Sequence, residues 1–336
     1  MVGENPVLGC CLAGGVYAQS PVPTEPTPDR VTRLAPSPTG ALHLGNALAF
    51  VVNWAMARKN NWRIHLRIED LDAPRVKPGV IEQTIDTLRW LGIDWDSGPE
   101  IQSNDLQPYH EAMQGLAQAR RIYPCSRSRA EIRDARAPNE GDTEIRFDPT
   151  LRPATFPHIF EDLGTNWRLI VEPGEIVFRD ELLGEQPIDV DRNVGDFVVW
   201  TKGGVPSYQL AVVVDDDRAG VTDIVRGHDL VESTARQILL MRALGIGRTS
   251  AYWHLPLVRG ADGRRLAKRH DDPRIEHYRS LGVDRERVIG LIAYWCGTQP
   301  DREPMSPAEF LGRFSCDTLP KDDPVFTRED DEWLTH

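Results

Sequence analysis

The fourteen residues RLAPSPTGALHLGN, Arg33 to Asn46, constrain the fold more than any other stretch of the chain. The segment VTRLAPS reads as a short strand running into a turn stiffened by Pro36 and Pro38, with Gly40 and Gly45 allowing close backbone approach. GNALAFVVNWAMARKN then places apolar residues at helical spacing. RIHLRIED alternates as a strand whose end carries Glu69 and Asp70, and GVIEQTIDTLRWLGI is an amphipathic helix ending at Gly92. This βαβα order predicts an α/β protein with a parallel sheet and helical crossovers.

After Ser97 the periodicity degrades up to about Asp191, which predicts an irregular insertion. The α/β pattern resumes with GDFVVWT, YQLAVVVDD and VTDIVRG, where YQLAVVVDD is read as a strand ending in acids. STARQILLMRALG follows as a helix with Ser233 at its N-cap, and YWHLPLV as a buried strand. RIEHYRSLG and RERVIGLIAYWCG are helical in pattern, and no internal repeat is visible.

A length of 336 residues implies two or three packed units. No run approaches the roughly 18 to 20 apolar residues that cross a bilayer, so no membrane span is expected. Five scattered cysteines suit a reducing compartment, and a cytoplasmic protein is expected. VLGCCLAGGVYAQS has the length of a signal-peptide core but no basic stretch before it. With the proline-rich PVPTEPTPDR behind it, residues 1–30 read as a flexible, dispensable tail. The formal charge of −12 argues against unspecific adhesion to phosphate backbones. One cluster runs against it: Arg120, Arg121, Arg127, Arg129, Arg133 and Arg136, which suit phosphate contacts or a solvated face.

Ligands of an open parallel sheet bind outside the carboxyl ends of its strands, where the first helix presents unpaired N–H groups. Arg33 to Asn46 falls at such a place, and His43 offers a donor that need not be charged. The stretch suits a phosphate, although it lacks the GxGxxG and GxxxxGK spacings, and a tight turn with a helix-capping histidine is the other reading. GADGRRLAKRH, Gly260 to His270, is either a cationic strap able to meet charge on a phosphoryl group or a solvated hairpin loop. Asp215 to Asp217 and Glu69 with Asp70 can orient an amine, hold a ribose, sit near Mg²⁺ or simply form turns. Arg226 in IVRG stands at a strand end, where a guanidinium can grip a carboxylate with two prongs.

Taken in order, RLAPSPTGALHLGN, LRIEDLD, YQLAVVVDD, IVRGHDL, STARQILL, HLPLV and RRLAKRH resemble the catalytic domain of the glutamyl branch of class I aminoacyl-tRNA synthetases. HLGN stands for the HIGH signature and LAKR for KMSKS, and the resemblance runs from about Val31 to about Gly297. It implies a Rossmann-like parallel-sheet catalytic domain split into residues 31–97 and 192–262, an inserted α+β subdomain over 98–191, and a signature loop with a short helical C-terminal region over 263–336. It assigns Arg33, Leu34, Ala35, Pro36, Ser37, Glu69, Tyr208 and Arg226 to glutamate. His43, Gly45, Asn46, Leu266, Lys268 and Arg269 fall to ATP, with His43 and Lys268 as the catalytic pair. ATP is implied as its Mg²⁺ complex.

Longer members of the branch continue into a large helical anticodon-binding region, for which the remainder between His270 and His336 is too short. The expectation is therefore the branch's shorter relative, a monomer that attaches glutamate to the queuosine base in the anticodon loop of tRNA(Asp). The alternatives are a truncated enzyme charging the tRNA 3′ end, and a non-catalytic regulator that binds tRNA or adenylate. Many relatives hold zinc through a Cys-x-Cys pair, a tyrosine and a further cysteine. Here YPCSR keeps Cys125 but has Arg127 at the second position, and FDPTLR puts Phe147 and Leu151 at the others. One thiolate does not make a four-ligand site, so zinc is not expected and Cys125 is read as a small core residue. Asn46 replaces the last histidine of HIGH, and Ala267 stands where KMSKS usually has serine.

Overall fold

The computed structural model describes residues 29–38, 41–72, 78–126, 147, 149, 152–161, 163–266 and 273–336. The opening stretch forms β1 (Val31–Leu34) and α1 (Leu44–Lys59), followed by β2 (Arg63–Ile68), α2 (Val80–Trp90) and β3 (Ser97–Ile101). His43 caps α1: its Nδ1 accepts the Asn46 N–H at 3.3 Å, and the Asn46 side-chain oxygen accepts the His43 N–H at 3.2 Å. Gly45 gives that cap room, since a Cβ there would lie 3.1 Å from the His43 ring. Inside α1, buried Asn53 accepts from the Thr32 hydroxyl and donates to the Arg33 carbonyl, tying the helix to β1.

The stretch read as irregular contains regular elements among its described residues. It carries α3 (Gln107–Gln118), β4 (Ile122–Cys125), β5 (Asn166–Leu169), β6 (Glu175–Asp180), β7 (Gly184–Asp189) and the single turn α4 (Val190–Asn193). β8 (Val198–Trp200) completes an antiparallel three-stranded sheet in the order β4-β5-β8 and so lies outside the parallel sheet. β6 and β7 instead join the central sheet. Their alternation was hidden by short strands and charged outward positions, with every second residue of β6 buried and the rest exposed.

YQLAVVVDD is not a strand. It forms α5 (Tyr208–Arg218), whose N-terminus is capped by the Ser207 hydroxyl accepting from the Leu210 N–H. A run buried on nearly every side has no period to separate strand from helix. After β9 (Asp223–Gly227) comes α6 (Val231–Leu244), which begins two residues before Ser233 with Leu230 at its N-cap position. Ser233 is thus not the cap; its hydroxyl accepts from Gln209 on α5 at 3.1 Å. β10 (Ala251–Leu255), α7 (Ile275–Ser280), α8 (Arg285–Trp295), α9 (Pro307–Arg313) and α10 (Arg328–Thr335) complete the chain.

The central sheet runs β3-β2-β1-β9-β10-β6-β7, parallel throughout except for the antiparallel edge strand β7. Strand alternation divides the core into two faces. Leu34, Ile64, Leu66, Ile68 and Leu255 pack with α1, α2, α8 and α9, while Val31, Ile176, Phe178, Ile224 and Tyr252 pack with α3, α5 and α6. The strand order reverses direction between β1 and β9, the place where open parallel sheets form a ligand crevice. Among the described residues no helix is long and apolar enough to cross a membrane.

Candidate active site at the switch point

Because strand side chains alternate, Arg67, Arg33, Arg226, His254 and Asp180 share the sheet face that carries Val31, Ile224, Tyr252 and Phe178. They form a buried polar stripe across five adjacent strands, β2, β1, β9, β10 and β6, roofed by α5 and α6. His254 stands opposite Arg226 in the β10–β9 register.

At the β2 end the charges are paired with one another. Arg67 donates to Asp216 at 2.7 Å and to Glu69 at 3.2 Å, with Asp215 at 3.8 Å. Arg33 donates through Nε to the same Asp216 at 3.3 Å and through Nη1 to the Val225 carbonyl at 3.3 Å. Asp215 accepts from Gln102 at 2.7 Å and from the Tyr109 hydroxyl at 2.9 Å. Burial opposes the charge of Asp216, but Arg67 and Arg33 outweigh it and hold the carboxyl below its usual pKa. Glu69 goes the other way. Burial raises its pKa beyond what Arg67 and Arg33 recover, so this carboxylate is under-compensated and suited to a cation.

Glu69 leaves the end of β2 and is held by its N–H, which donates to the Pro36 carbonyl of the turn after β1. Tyr208 opens α5, with burial and the charge of Glu69 raising its pKa so that the hydroxyl stays protonated. Arg226 ends β9. It donates to His254 Nε2 at 3.1 Å, Gln237 at 2.9 Å, the Thr234 hydroxyl at 2.6 Å and the Leu230 carbonyl at 3.3 Å. Tyr208 lies within electrostatic reach of Glu69, Arg226 and Arg33, and Arg33 within reach of Glu69 and Arg226. Four residues spread over nearly two hundred positions thus come near one another at the switch point, with Asp216 already paired to Arg33; two cations, an anion and a neutral donor are groups able to meet a small dicarboxylate carrying an ammonium.

The first signature is held against the flank that follows the second. Leu44 donates to the Pro273 carbonyl at 2.9 Å and Ile275 to the Leu42 carbonyl at 2.8 Å, while Leu266 donates to the Val258 carbonyl at 2.9 Å. Ala267, Lys268, Arg269 and His270 lie outside the described residues, as do Gly40 and Arg127, Arg129, Arg133 and Arg136. The Leu34 and Leu266 side chains are buried in the core among α1 and α8, so only their backbones can meet a ligand. Arg120 is exposed and hydrogen-bonded to His158. Asp217 is exposed and pairs with Arg248, apart from its two buried neighbours.

Sequence reasoning missed Arg67, Gln237, Thr234, His254 and Asp180. The alternation of RIHLRI was the available signal for Arg67, and the position of His254 in YWHLPLV, one strand over from IVRG, was the signal for His254. In the inserted subdomain Cys125 packs in an apolar cluster with Tyr123, Phe147 and Ile170, in keeping with a small core residue. That region is held by Asp196, which accepts two bonds from Arg152 at 2.7 Å each, one from the Tyr123 hydroxyl at 2.6 Å and one from the Val171 N–H at 2.8 Å. Leu151 lies outside the described residues.

Comparison with known proteins agrees with this fold. The family of class I tRNA synthetases (E and Q), catalytic domain, matches residues 30–333. Relatives include the glutamyl-Q tRNA(Asp) synthetase of Rhodopirellula baltica, 43% identical over 81% of this chain and 87% of that protein. The glutamate–tRNA ligase of Azoarcus sp. is 35% identical over 92% of this chain and 66% of the relative. The fold is that of the glutamate tRNA ligase from Elizabethkingia meningosepticum, with a TM-score of 0.74 at 24% identity over 91% of this chain and 68% of that one. The chain belongs to the class I tRNA synthetases of the glutamate and glutamine branch, and is a ligase of that family.

Proposed function

We propose that this ligase activates glutamate with ATP and transfers the glutamyl group to the queuosine base of tRNA(Asp). The single observation that carries the glutamate reading is the convergence of Arg33, Glu69, Tyr208 and Arg226 at the switch point of the sheet. Arg33 and Arg226 meet the two carboxylates, Glu69 receives the ammonium and Tyr208 donates a hydrogen bond. ATP, as its Mg²⁺ complex, binds over the N-terminus of α1 through His43, Gly45 and Asn46. The glutamate α-carboxylate attacks the α-phosphorus in line; the bond to the bridging oxygen breaks and pyrophosphate leaves, giving glutamyl-adenylate. Lys268 and Arg269 neutralise the charge that develops on the phosphoryl oxygens. No protein nucleophile takes part.

The choice of queuosine over the 3′ end rests on the relatives named glutamyl-Q tRNA(Asp) synthetase, which are 41 to 43% identical, against 34 to 35% for those named glutamate–tRNA ligase. The test is labelling of tRNA(Asp) with radioactive glutamate, using tRNA with and without queuosine. Labelling confined to the queuosine-bearing tRNA is expected; equal labelling of both would move the acceptor to the 3′ end. Absence of glutamate-dependent ATP–pyrophosphate exchange in the pure protein would remove the enzymatic reading altogether.

A further inference from the structure

We propose that His254 and Asp180 are positioning residues for Arg226, a buried chain that aims its guanidinium while leaving its charge unmatched for an incoming carboxylate. The inference rests on the reading of Arg226 as a glutamate-binding group.

The hydrogen bonds fix the state of each member. An arginine only donates, so the bond from Arg226 Nε at 3.1 Å requires His254 Nε2 to accept. The imidazole proton is therefore on Nδ1, which donates to Asp180 Oδ2 at 2.7 Å. Asp180 is in turn locked at the end of β6. Its Oδ1 accepts the N–H groups of Leu182 and Leu183 at 2.9 and 2.8 Å, and its Oδ2 accepts the His254 N–H at 3.1 Å. Both side chains are fully buried. Burial, followed by the neighbouring charge of Arg226, keeps the imidazole neutral down to about pH 4 despite its bond to Asp180.

The consequence is a buried arginine whose four hydrogen-bond acceptors, an imidazole, an amide, a hydroxyl and a carbonyl, are all neutral. A carboxylate placed where His254 stands would pair with Arg226 directly and compete with the substrate. Set back behind the imidazole, Asp180 fixes the ring's tautomer and orientation without occupying the guanidinium. Thr234 reinforces the arrangement, its hydroxyl lying 2.6 Å from Arg226 and 3.2 Å from His254 Nε2.

The experiment is glutamate-dependent ATP–pyrophosphate exchange on the full chain, with KM for glutamate and for ATP measured separately. His254→Phe keeps a ring but removes the acceptor, and is expected to raise KM for glutamate about tenfold, the loss of one charge-assisted bond, with KM for ATP within about twofold of the parent. His254→Gln restores an acceptor for Arg226 Nε and should recover KM for glutamate to within about threefold of the parent. In an Arg226→Gln background His254→Phe should add nothing, because the histidine acts through that arginine. A folded His254→Phe protein with unchanged KM for glutamate, or an effect that multiplies undiminished in the Arg226→Gln background, overturns the proposal alone. If Arg226→Gln itself leaves KM for glutamate unchanged, the glutamate reading of Arg226 falls and the proposal falls with it. Should His254→Phe not fold, Asp180→Asn carries the test: KM for glutamate is expected to rise, and an unchanged value in the folded variant refutes the role of the chain.

Discussion

Arg67 and Arg226 are both buried and stand on the same sheet face two strands apart in the sheet order, yet they are treated in opposite ways. Around Arg67 the protein supplies Asp216, Glu69 and Asp215. Burial disfavours the Arg67 charge, but the three carboxylates outweigh it and raise its pKa. Around Arg226 the protein supplies only neutral acceptors; burial goes unopposed by direct pairing and lowers its pKa. The first arrangement neutralises charge within the chain and belongs to folding. The second leaves the charge without a carboxylate partner, which on the proposed reading is the substrate's place. A buried charge whose partners are all neutral is therefore a better pointer to a ligand than a buried charge as such.

This contrast predicts which substitutions damage stability and which damage only activity. The largest loss of stability is expected from Asp216→Ala, which removes the carboxylate shared by Arg67 and Arg33 and leaves a fully buried guanidinium under-paired. The cost should be about 3 to 5 kcal/mol in denaturant unfolding. A cost below about 1 kcal/mol would mean that the β2 end is not held by its ion pairs.

Acid should weaken the β10 end next. The His254 pKa is depressed from 6.5 to about 4 on folding, so the unfolded chain takes up this proton first. Its contribution is intact above pH 6.5, falls as pH drops from 6.5 towards 4 and is gone below that, with a total of up to about 3 kcal/mol. Asp180, held below its usual value despite burial by its bonds from His254, Leu183 and Leu182, adds a loss of the same sign at lower pH. Melting temperature followed from pH 7 to 5 should therefore fall in the parent and fall less in His254→Gln. An equal fall in both would place the acid-sensitive group elsewhere.

The smallest effect on stability is expected from Arg226→Gln, within about 1 kcal/mol, because no carboxylate is left unpaired by it. In exchange assays the same variant should raise KM for glutamate about a hundredfold. A variant that instead unfolds, while keeping its affinity for glutamate, would erase the distinction between the two arginines.

The strand-end positions of the candidate residues were readable from the sequence, for reasons that can be named. Glu69 and Arg226 stand just at or beyond the ends of strands, where a parallel sheet presents its ligands, and Arg33 precedes a proline-stiffened turn into a helix. Other features were unreadable. YQLAVVVDD folds as a helix because α5 is buried between the sheet and α6, and only in that form do Asp215 and Asp216 turn inward to meet Arg67. The β6–β7 hairpin lay within a region of degraded periodicity, so Asp180 gave no sign of belonging to the same sheet as Arg226.

Local physics was enough to place the first strand, turn and helix, the amphipathic elements that follow and the strand-end candidates, since each depends on residues within a few positions of one another. The pairing of charges required the assembled sheet. Asp216 and Arg67, or Asp180, His254 and Arg226, are distant along the chain and become neighbours only through strand order and register, and burial then makes each bond between them consequential. Which arginine is paired with carboxylates and which has only neutral partners is for that reason a property of the tertiary structure.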